Sequence, residues 1–236
     1  MTALKNAVVL VTGANGGLGR AFVAEALQRG AAKVYASART PREWTDPRVV
    51  PLPLDINSPE SVAAAAEQAG DTTVLINNAG ISDGGQPVLT TPIDTVRAVF
   101  ETNVFAQVAV TQAFAPVLAG NGGGAIVNLH SALSWLALGT YSATKAAFWS
   151  FSNALRVELL GQGTHVLGAH LGYTDTPMIA RLDVPKEDPR DIVAAIFDGL
   201  EAGEPEVLAD DTSRRVKQAL SGPLSALYPQ LQAAAS

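Results

Sequence analysis

The stretch VVLVTGANGGLG, residues 8–19, decides the fold. Its first half is an apolar run rich in β-branched residues, which is typical of a strand that is buried on both faces. Its second half is a glycine-rich turn, and the segment LGRAFVAEALQRG that continues it has the apolar spacing of a helix. A strand, a glycine-rich turn and a helix in this order predict a nucleotide-binding α/β unit, in which phosphate meets backbone amides at the start of the helix.

The same alternation of strand and helix continues along the chain. Apolar runs predict further strands in AKVYASAR, TTVLINNAG, GGAIVNLH, THVLGAHLG and EPEVLAD, with another strand ending before Asp55. Helix starts are indicated by NSPES, by Thr91 with Pro92 and Asp94, and by Asp188 with Pro189 and Asp191. The sequence therefore predicts an α/β fold, a doubly wound Rossmann-type sheet of about seven parallel strands with helices on both faces.

Size and composition narrow the classes of protein to consider. The 236 residues are 47% hydrophobic and 16% charged, which suits one domain over residues 1–236. The net charge of −6 and the lack of a basic run argue against nucleic acid or a membrane as partner. With no cysteine, and with His130, His165 and His170 outside any metal-ligand spacing, we expect no metal site. A soluble, cytoplasmic protein is expected.

The stretch YSATK, residues 141–145, places a phenol and an amine on one helix. Residues four apart on a helix are surface neighbours, so the Lys145 ammonium can lie beside the Tyr141 hydroxyl and lower its pKa. A Tyr-x-x-x-Lys spacing arises easily by chance and is weak by itself. It gains meaning only if the chain also binds something on which the pair can act.

The glycine-rich turn and six further motifs that follow it in a fixed order give the chain its resemblance to a known family. The spacing of Gly13, Gly17 and Gly19 resembles that of the short-chain dehydrogenase/reductase family, and the family's other motifs follow in order. They are Asp55-Ile56, NNAG at 77–80, Asn103, Ser131, Tyr141 with Lys145, and GYTDT at 172–176. Singly, a strand-end cap, a turn or a buried polar residue would explain Asp55, NNAG or Asn103.

The resemblance implies a dinucleotide site. It implies that Asp55 and Ile56 flank the adenine, that 78–80 line the adenosine, and that Thr174 and Thr176 meet the nicotinamide carboxamide. The expected cofactor-binding residues are Gly13, Asn15, Gly17, Leu18, Gly19, Arg39, Asp55, Ile56, Asn78, Ala79, Gly80, Tyr141, Lys145, Gly172, Thr174 and Thr176.

The resemblance also implies the reaction, which interconverts a ketone or aldehyde and an alcohol by hydride transfer. Tyr141 would be the general acid and base, and Lys145 would lower the pKa of its phenol and bind the nicotinamide ribose. Ser131 would hydrogen-bond the substrate oxygen, and Asn103 would hold a water next to Lys145. The rival hypothesis is a catalytically silent NADP(H)-binding or scaffold protein, which the intact set of four residues disfavours.

The end of the second strand indicates the cofactor. NAD-dependent relatives place an acidic residue there for the ribose 2′-hydroxyl, whereas this chain has Ala38 followed by Arg39. An arginine can hold a 2′-phosphate with two charge-assisted hydrogen bonds, so we expect NADP(H). The alternative is that Arg39 is a solvated surface residue.

Three features depart from the family pattern. The segment between Ser131 and Tyr141 is short, and Ser134 is the second candidate for the substrate serine, although a loop cap is its simpler interpretation. Leu171 stands where relatives have proline. The substrate lid, around residues 177–189, is also short, which favours an open pocket for a small carbonyl or alcohol substrate.

The resemblance finally implies a homodimer or homotetramer. The aromatic residues Phe148, Trp149 and Phe151 follow Lys145 on the same predicted helix. They suit core packing on one side of that helix and a subunit interface on the other, and the sequence does not separate these two uses.

Overall fold

The sheet has seven parallel strands, in the order β3-β2-β1-β4-β5-β6-β7, in a computed structural model that describes residues 3–233. The strands are β1 Val8–Val11, β2 Lys33–Ala38, β3 Val49–Pro53, β4 Val74–Asn77, β5 Gly124–Leu129, β6 Thr164–His170 and β7 Glu206–Leu208. The order reverses between β1 and β4, as in doubly wound nucleotide-binding sheets. The predicted fold class is therefore confirmed.

Helices cover both faces of the sheet. They are α1 Gly17–Gln28, α2 Pro59–Gln68, α3 Ile93–Phe100, α4 Ala106–Gly120, α5 Gly139–Glu158, α6 Pro189–Ala202, α7 Asp211–Ala219, α8 Leu224–Leu227 and α9 Gln230–Ala233. One buried apolar cluster joins the sheet to α1 and α6, and a second joins it to α2 and α4. The five central strands β1, β2, β4, β5 and β6 are thereby buried on both faces, which explains their nearly continuous apolar sequences, whereas β3 and β7 at the sheet edges are more exposed.

The helix starts follow the signals in the sequence. The Ser58 hydroxyl caps α2 by accepting from the Ser61 N–H at 3.2 Å, and the Asp188 carboxylate caps α6 by accepting from the Arg190 N–H at 2.8 Å. Helix α3 begins after Pro92 as predicted, but the Thr91 hydroxyl donates to the carbonyl of Pro87 instead of capping the helix. Side-chain caps thus mark the starts of α2 and α6, whereas α3 starts after Pro92 without a side-chain cap.

The predicted central helix is one continuous helical segment, Ile93–Gly120, interrupted by a π turn at Glu101–Phe105. Its length and its mean hydropathy of 1.2 over 18 residues would suffice to cross a membrane. The same features belong to core helices, and here Val110, Phe114 and Leu118 pack against the sheet. The segment therefore uses its apolar face within the fold.

Gly19 lets α1 start directly against the glycine-rich turn. A Cβ at this position would lie 2.3 Å from the carbonyl oxygen of Gly13 and 2.7 Å from the Cα of Ala14. Such distances are impossible for a side chain, so residue 19 must be glycine for this turn to form. The third glycine of the motif thus serves close packing.

A row of buried polar side chains ties the centre of the sheet to two helices. The Asn77 amide on β4 donates to Thr111 of α4 at 3.0 Å and to Asn128 of β5 at 2.9 Å. The Asn128 amide donates in turn to Ser152 of α5 at 2.8 Å. Because unpaired polar groups are costly in a core, these bonds fix how α4 and α5 lie on the sheet.

Three short helices, α7 to α9, follow β7 and were not among the predicted elements. Helix α7 opens with a capping box, in which the Asp210 carboxylate accepts from the Ser213 N–H at 2.7 Å. The Tyr228 hydroxyl, just after α8, accepts from the Ala137 N–H at 2.8 Å. The end of the chain therefore packs against the segment between β5 and α5.

Candidate active site

The predicted site residues collect at one edge of the sheet. The carboxyl ends of parallel strands meet at this edge, and the crevice opens where the strand order reverses, between β1 and β4. The glycine-rich turn follows β1, and Asn78 follows β4. Ser131 follows β5, and Gly172 follows β6.

The start of α1 offers backbone N–H groups to an anion. Gly16, which precedes the helix, has no side chain to cap it, so the first amides of α1 are not satisfied by a cap. The turn is fixed by Thr12, whose hydroxyl accepts from the N–H groups of Asn78 at 2.9 Å and Ala79 at 3.0 Å. The Asn78 amide donates back to the Thr12 carbonyl at 2.7 Å. Asn78 thus helps to shape the glycine-rich turn.

Asn15 joins the glycine-rich turn to the loop after β2. Its amide donates to the Thr40 carbonyl at 2.8 Å, and its oxygen accepts from the Arg42 N–H at 3.3 Å. The loop held in this way carries Arg39, which is exposed and takes part in no ion pair among residues 3–233. Asn15 therefore fixes the backbone that directly follows Arg39, whose exposed guanidinium is available to a ligand.

Asp55, Ile56 and Leu18 differ in what they contribute. The Asp55 carboxylate accepts from the Asn57 N–H at 3.0 Å and is partly exposed. Ile56 is buried in the apolar cluster against α2 and α4, and Leu18 packs against the cluster under α1. Of the three, Asp55 has the polar group that a nucleoside could reach.

Ala79 and Gly80 lie against the central helix. The Ala79 carbonyl accepts a hydrogen bond from the Gln107 amide of α4. A Cβ at Gly80 would lie 3.2 Å from the Asn103 amide oxygen, so this glycine lets the chain pass close to the helix. The segment after β4 is thereby fixed from both sides.

The segment 172–176 borders the glycine-rich turn and the start of α7. The Gly172 N–H donates to the Asp210 carboxylate, which holds the segment at its beginning. A Cβ at Gly17 would lie 2.9 Å from the Thr176 methyl group, so Thr176 lies directly against the turn. The Thr174 hydroxyl is buried and has no hydrogen-bond partner in the described part of the chain. It can serve a ligand amide.

Tyr141 and Lys145 lie one turn apart in α5, as predicted. The Lys145 Nζ is 5.6 Å from the centre of the Tyr141 ring and donates to the Leu129 carbonyl at 2.8 Å. Lys145 is buried, with 6% of its surface exposed, whereas Tyr141 is half-buried. An ammonium has three donors, so two remain for other acceptors.

Burial dominates the pKa values of this pair. Burial raises the pKa of Tyr141 to about 12 and lowers the pKa of Lys145 to about 8. The expectation that Lys145 lowers the pKa of Tyr141 is therefore wrong for the protein alone. Burial shifts both groups towards their neutral forms, because each charged form loses contact with water, although a pKa of about 8 leaves Lys145 mostly charged at pH 7.

Asn103 lies in the π turn and is fully buried. Its amide oxygen accepts from the Ile81 N–H at 2.9 Å, and its amide nitrogen donates to the Ile81 carbonyl at 2.9 Å and to the Thr144 hydroxyl at 3.1 Å. Both amide hydrogens are thus engaged within the protein. A water next to Lys145 would have to be held by the Asn103 main chain, where the π turn departs from regular helical bonding.

Ser131 is placed at the end of β5, before a short 3-10 helix, Ala132–Ser134. Its hydroxyl accepts from the Leu133 N–H at 3.1 Å and donates to the Leu171 carbonyl at a long 3.4 Å. The Ser134 hydroxyl accepts from the Ser131 N–H at 3.4 Å, which is the loop-cap role expected for it. A long bond is weak, so the Ser131 hydroxyl can turn to a better acceptor.

Sequence reasoning missed Thr12, Asp210 and His170. Thr12 was detectable as a polar residue between a buried strand and the first glycine. Asp210 was detectable as a helix cap before Thr212 and Ser213. No local pattern in the sequence indicates the hydrogen bond between His170 and Ser131, because these residues are 39 positions apart in the chain.

Comparisons with known proteins agree with this geometry. The short chain dehydrogenase family profile matches residues 7–186. The chain is 34% identical over 200 residues to 1-deoxy-11-beta-hydroxypentalenate dehydrogenase of Streptomyces exfoliatus, covering 78% of this chain and 73% of that protein. It is 29% identical over 240 residues to an NADP-dependent 3-hydroxy acid dehydrogenase of Schizosaccharomyces pombe, covering 89% and 93%.

A solved structure is similar over nearly the whole chain. A short chain dehydrogenase from Burkholderia cenocepacia, crystallised in complex with NADP, has a TM-score of 0.92 and 38% identity, covering 98% of this chain and 99% of that one. The fold and the site define a dinucleotide-binding oxidoreductase. The chain belongs to the short chain dehydrogenase family.

Replacing Lys145 by methionine should stabilise the protein at neutral pH. The pKa of about 8 lies below the ordinary 10.5, so the buried ammonium costs stability below about pH 8, and this cost disappears as the pH rises through 10.5. The difference between these two pKa values corresponds to about 3 kcal/mol in the free energy of unfolding. Urea unfolding of both proteins between about pH 7 and 10.5 should show the advantage of Lys145→Met shrinking by about this amount.

Lys33→Met is the matched control for this measurement. Lys33 donates to the Asp71 carboxylate at 2.6 Å, and this bond raises the pKa of Lys33. Its ammonium therefore adds stability at neutral pH, and its loss should destabilise the protein. An unfolding free energy difference for Lys145→Met that does not change with pH would contradict the burial cost.

Proposed function

We propose that this oxidoreductase interconverts a ketone or aldehyde and an alcohol with NADP(H), using Tyr141 as general acid and base. The observation that carries the proposal is the Tyr141 and Lys145 pair on α5, with Lys145 Nζ 5.6 Å from the tyrosine ring. A half-buried phenol next to a lysine amine suits proton transfer to a substrate oxygen.

The residues present fit NADP(H) on three observations. The uncapped start of α1 suits the diphosphate, and the exposed Arg39 suits a 2′-phosphate. The buried Thr174 hydroxyl has no partner among residues 3–233, and a carboxamide would supply one. The NADP complex of the Burkholderia protein supports the same choice. Asp55 and the segment 78–80 would hold the adenosine side. The bound cofactor would exchange a hydride with the carbonyl carbon.

Side chains of the protein would transfer the proton and orient the substrate oxygen. In the reducing direction Tyr141 would give its hydroxyl proton to the substrate oxygen, while Ser131 turns its hydroxyl from the Leu171 carbonyl to that oxygen. Lys145 would keep its bond to Leu129 and use its other donors for the ribose and a water. We assign that water to the main-chain carbonyl of Asn103 in the π turn.

The mouth of the site supports a small apolar substrate. Exposed apolar side chains lie on the three segments that follow Gly80, precede α5 and follow Gly172, namely Ile81, Leu138, Tyr173, Met178 and Leu182. The last two belong to the short segment 177–189, which we propose as the lid. Apolar groups around a few polar ones are typical of small-molecule sites.

We also propose a homodimer or homotetramer that uses α4 and α5. Phe148 is buried in the core, whereas Phe151 and Val157 on α5 are 42% and 70% exposed. Phe105, at the end of the π turn, is 55% exposed. Apolar side chains on neighbouring helices are typical of a surface covered by another copy of the chain.

Cofactor preference should depend on residues 38 and 39. The natural chain should have a much higher kcat/KM with NADPH than with NADH, and Ala38→Asp with Arg39→Leu should reverse the order. The new carboxylate would repel a 2′-phosphate and accept from a 2′-hydroxyl. Steady-state kinetics with both cofactors measures the ratio.

Arg42→Leu is the control on the same loop. The Arg42 guanidinium lies 5.2 Å from the centre of the Trp44 ring and its Nε donates to the Glu43 carbonyl, partners that Arg39 does not have among residues 3–233. The preference should survive this change. Equal use of NADPH and NADH by the natural protein would refute the assignment of Arg39.

Tyr141→Phe should lower kcat by about 10²- to 10⁴-fold, because it deletes the proton donor. The dissociation constant of NADPH, measured by fluorescence, should stay unchanged. Lys145→Ala should weaken both cofactor binding and turnover, since it removes donors to the ribose as well as the amine beside the phenol. A panel of simple ketones and aldehydes provides the assay.

Tyr35→Phe removes a comparable hydroxyl far from the proposed chemistry. The Tyr35 hydroxyl donates to the Asp71 carboxylate at 2.8 Å, so the variant should keep its turnover. If Tyr141→Phe retains more than about a tenth of the natural kcat, another group donates the proton. Absence of turnover with every carbonyl compound despite tight NADPH binding would favour a silent cofactor-binding protein.

A further inference from the structure

A group of aromatic and histidine rings packs together next to Ser131. The His170 and Trp135 rings are stacked with their centres 3.9 Å apart at 17°, and Trp149 meets Trp135 edge-on at 5.7 Å. The His130 ring is 4.9 Å from His170 and 5.3 Å from Phe148. We call these five residues the aromatic cluster: His130, Trp135, Phe148, Trp149 and His170. It connects β5, β6 and α5 at the edge that carries Ser131.

His170 is the member of the cluster that bonds to Ser131. It is the last residue of β6, is fully buried, and has its Nδ1 3.1 Å from the Ser131 carbonyl oxygen. A carbonyl oxygen can only accept, so Nδ1 carries the hydrogen and donates it. The same carbonyl accepts from the Ser134 N–H at 2.9 Å. These two bonds set the orientation of the peptide that follows the Ser131 side chain.

Burial and the neighbouring rings keep His170 neutral and in place. Burial lowers the pKa of His170 to about 4, so the ring is neutral near pH 7. Its Nε2 is 3.6 Å from the Glu206 carboxylate, which Lys217 holds at 2.8 Å. The Lys217 ammonium also lies 4.6 Å from the centre of the Trp135 ring, on which His170 is stacked. The stacking on Trp135 and the Nδ1–H bond to Ser131 thus hold the ring, whereas Nε2 has no hydrogen-bond partner among the described residues.

We propose that His170 is a positioning residue for Ser131: its Nδ1–H fixes the Ser131 peptide so that the serine hydroxyl points to the substrate oxygen. This inference rests on the proposed role of Ser131 in the reaction. Within the described part of the chain, the hydroxyl has only a bond of 3.1 Å from Leu133 and one of 3.4 Å to Leu171 to guide it, so its direction depends on the backbone that carries it. Loss of the His170 donor therefore misaligns the hydroxyl without touching the cofactor residues.

The neighbouring histidine provides a matched control within the same cluster. His130 is as deeply buried as His170, but neither of its ring nitrogens has a hydrogen-bond partner among the residues that the structure describes. It therefore contributes packing alone. Replacing an unpaired buried imidazole by leucine removes no hydrogen bond, so His130→Leu should keep the natural kcat.

The test compares two variants that place an amide side chain at residue 170, His170→Asn and His170→Gln. Asparagine can place an N–H near the position of Nδ1, whereas glutamine places one near Nε2, so the two variants differ in the donor to Ser131. His170→Gln should lower kcat about tenfold or more, as small misplacements of reacting groups do. His170→Asn should stay within about threefold of the natural kcat. Both should keep the natural NADPH dissociation constant, measured by fluorescence.

A double-mutant cycle shows whether His170 acts through Ser131. In a Ser131→Ala background, His170→Gln should lower kcat by less than about twofold, because the hydroxyl that it orients is gone. The same fold loss in both backgrounds would overturn the proposal, as would equal kcat values for the Asn and Gln variants. If Ser131→Ala alone retains full kcat, the role of Ser131 in the proposed function fails instead, while Tyr141→Phe still tests the reaction separately.

Discussion

Burial of a lysine amine beside a tyrosine phenol is the constraint on which the candidate site depends. Lys145 is almost completely buried at the carboxyl edge of the sheet, and its pKa is about 8. The half-buried Tyr141 has a pKa of about 12. Neither group is charged without cost, so added charge nearby has a large effect on both. A site of this kind is sensitive to what binds next to it.

Much of the surrounding structure serves to keep these groups in place. The Asn103 amide ties the π turn to α5 and to the segment after β4. The row from Asn77 to Ser152 fixes α5 on the sheet, and Leu129 accepts from Lys145. On the other side, His170 and helix α7 support the segment with Ser131. Unlike the apolar clusters, these hydrogen bonds specify direction, which proton transfer requires.

The sequence predicted the elements better than the contacts between them. Apolar runs identified the strands, and the spacing of Tyr141 and Lys145 correctly placed both on one helix, because these signals are local. The π turn at Asn103 has no residue signature, helix α7 has little apolar content to reveal it, and α8 and α9 are only four residues long. The expected fall in the pKa of Tyr141 is wrong for the protein alone, because burial, which depends on distant parts of the chain, raises it.

The ionisation of Tyr141 with and without oxidised cofactor tests the central claim most directly. Ring-labelled tyrosine gives an NMR signal for each of the four tyrosines, and the signal lost in Tyr141→Phe identifies Tyr141. In the free protein this signal should show a pKa near 12. With NADP⁺ bound, the positive charge of the nicotinamide should lower that pKa by about one to three units. An unchanged pKa would contradict the account, because Tyr141 would then not lie beside the reacting ring.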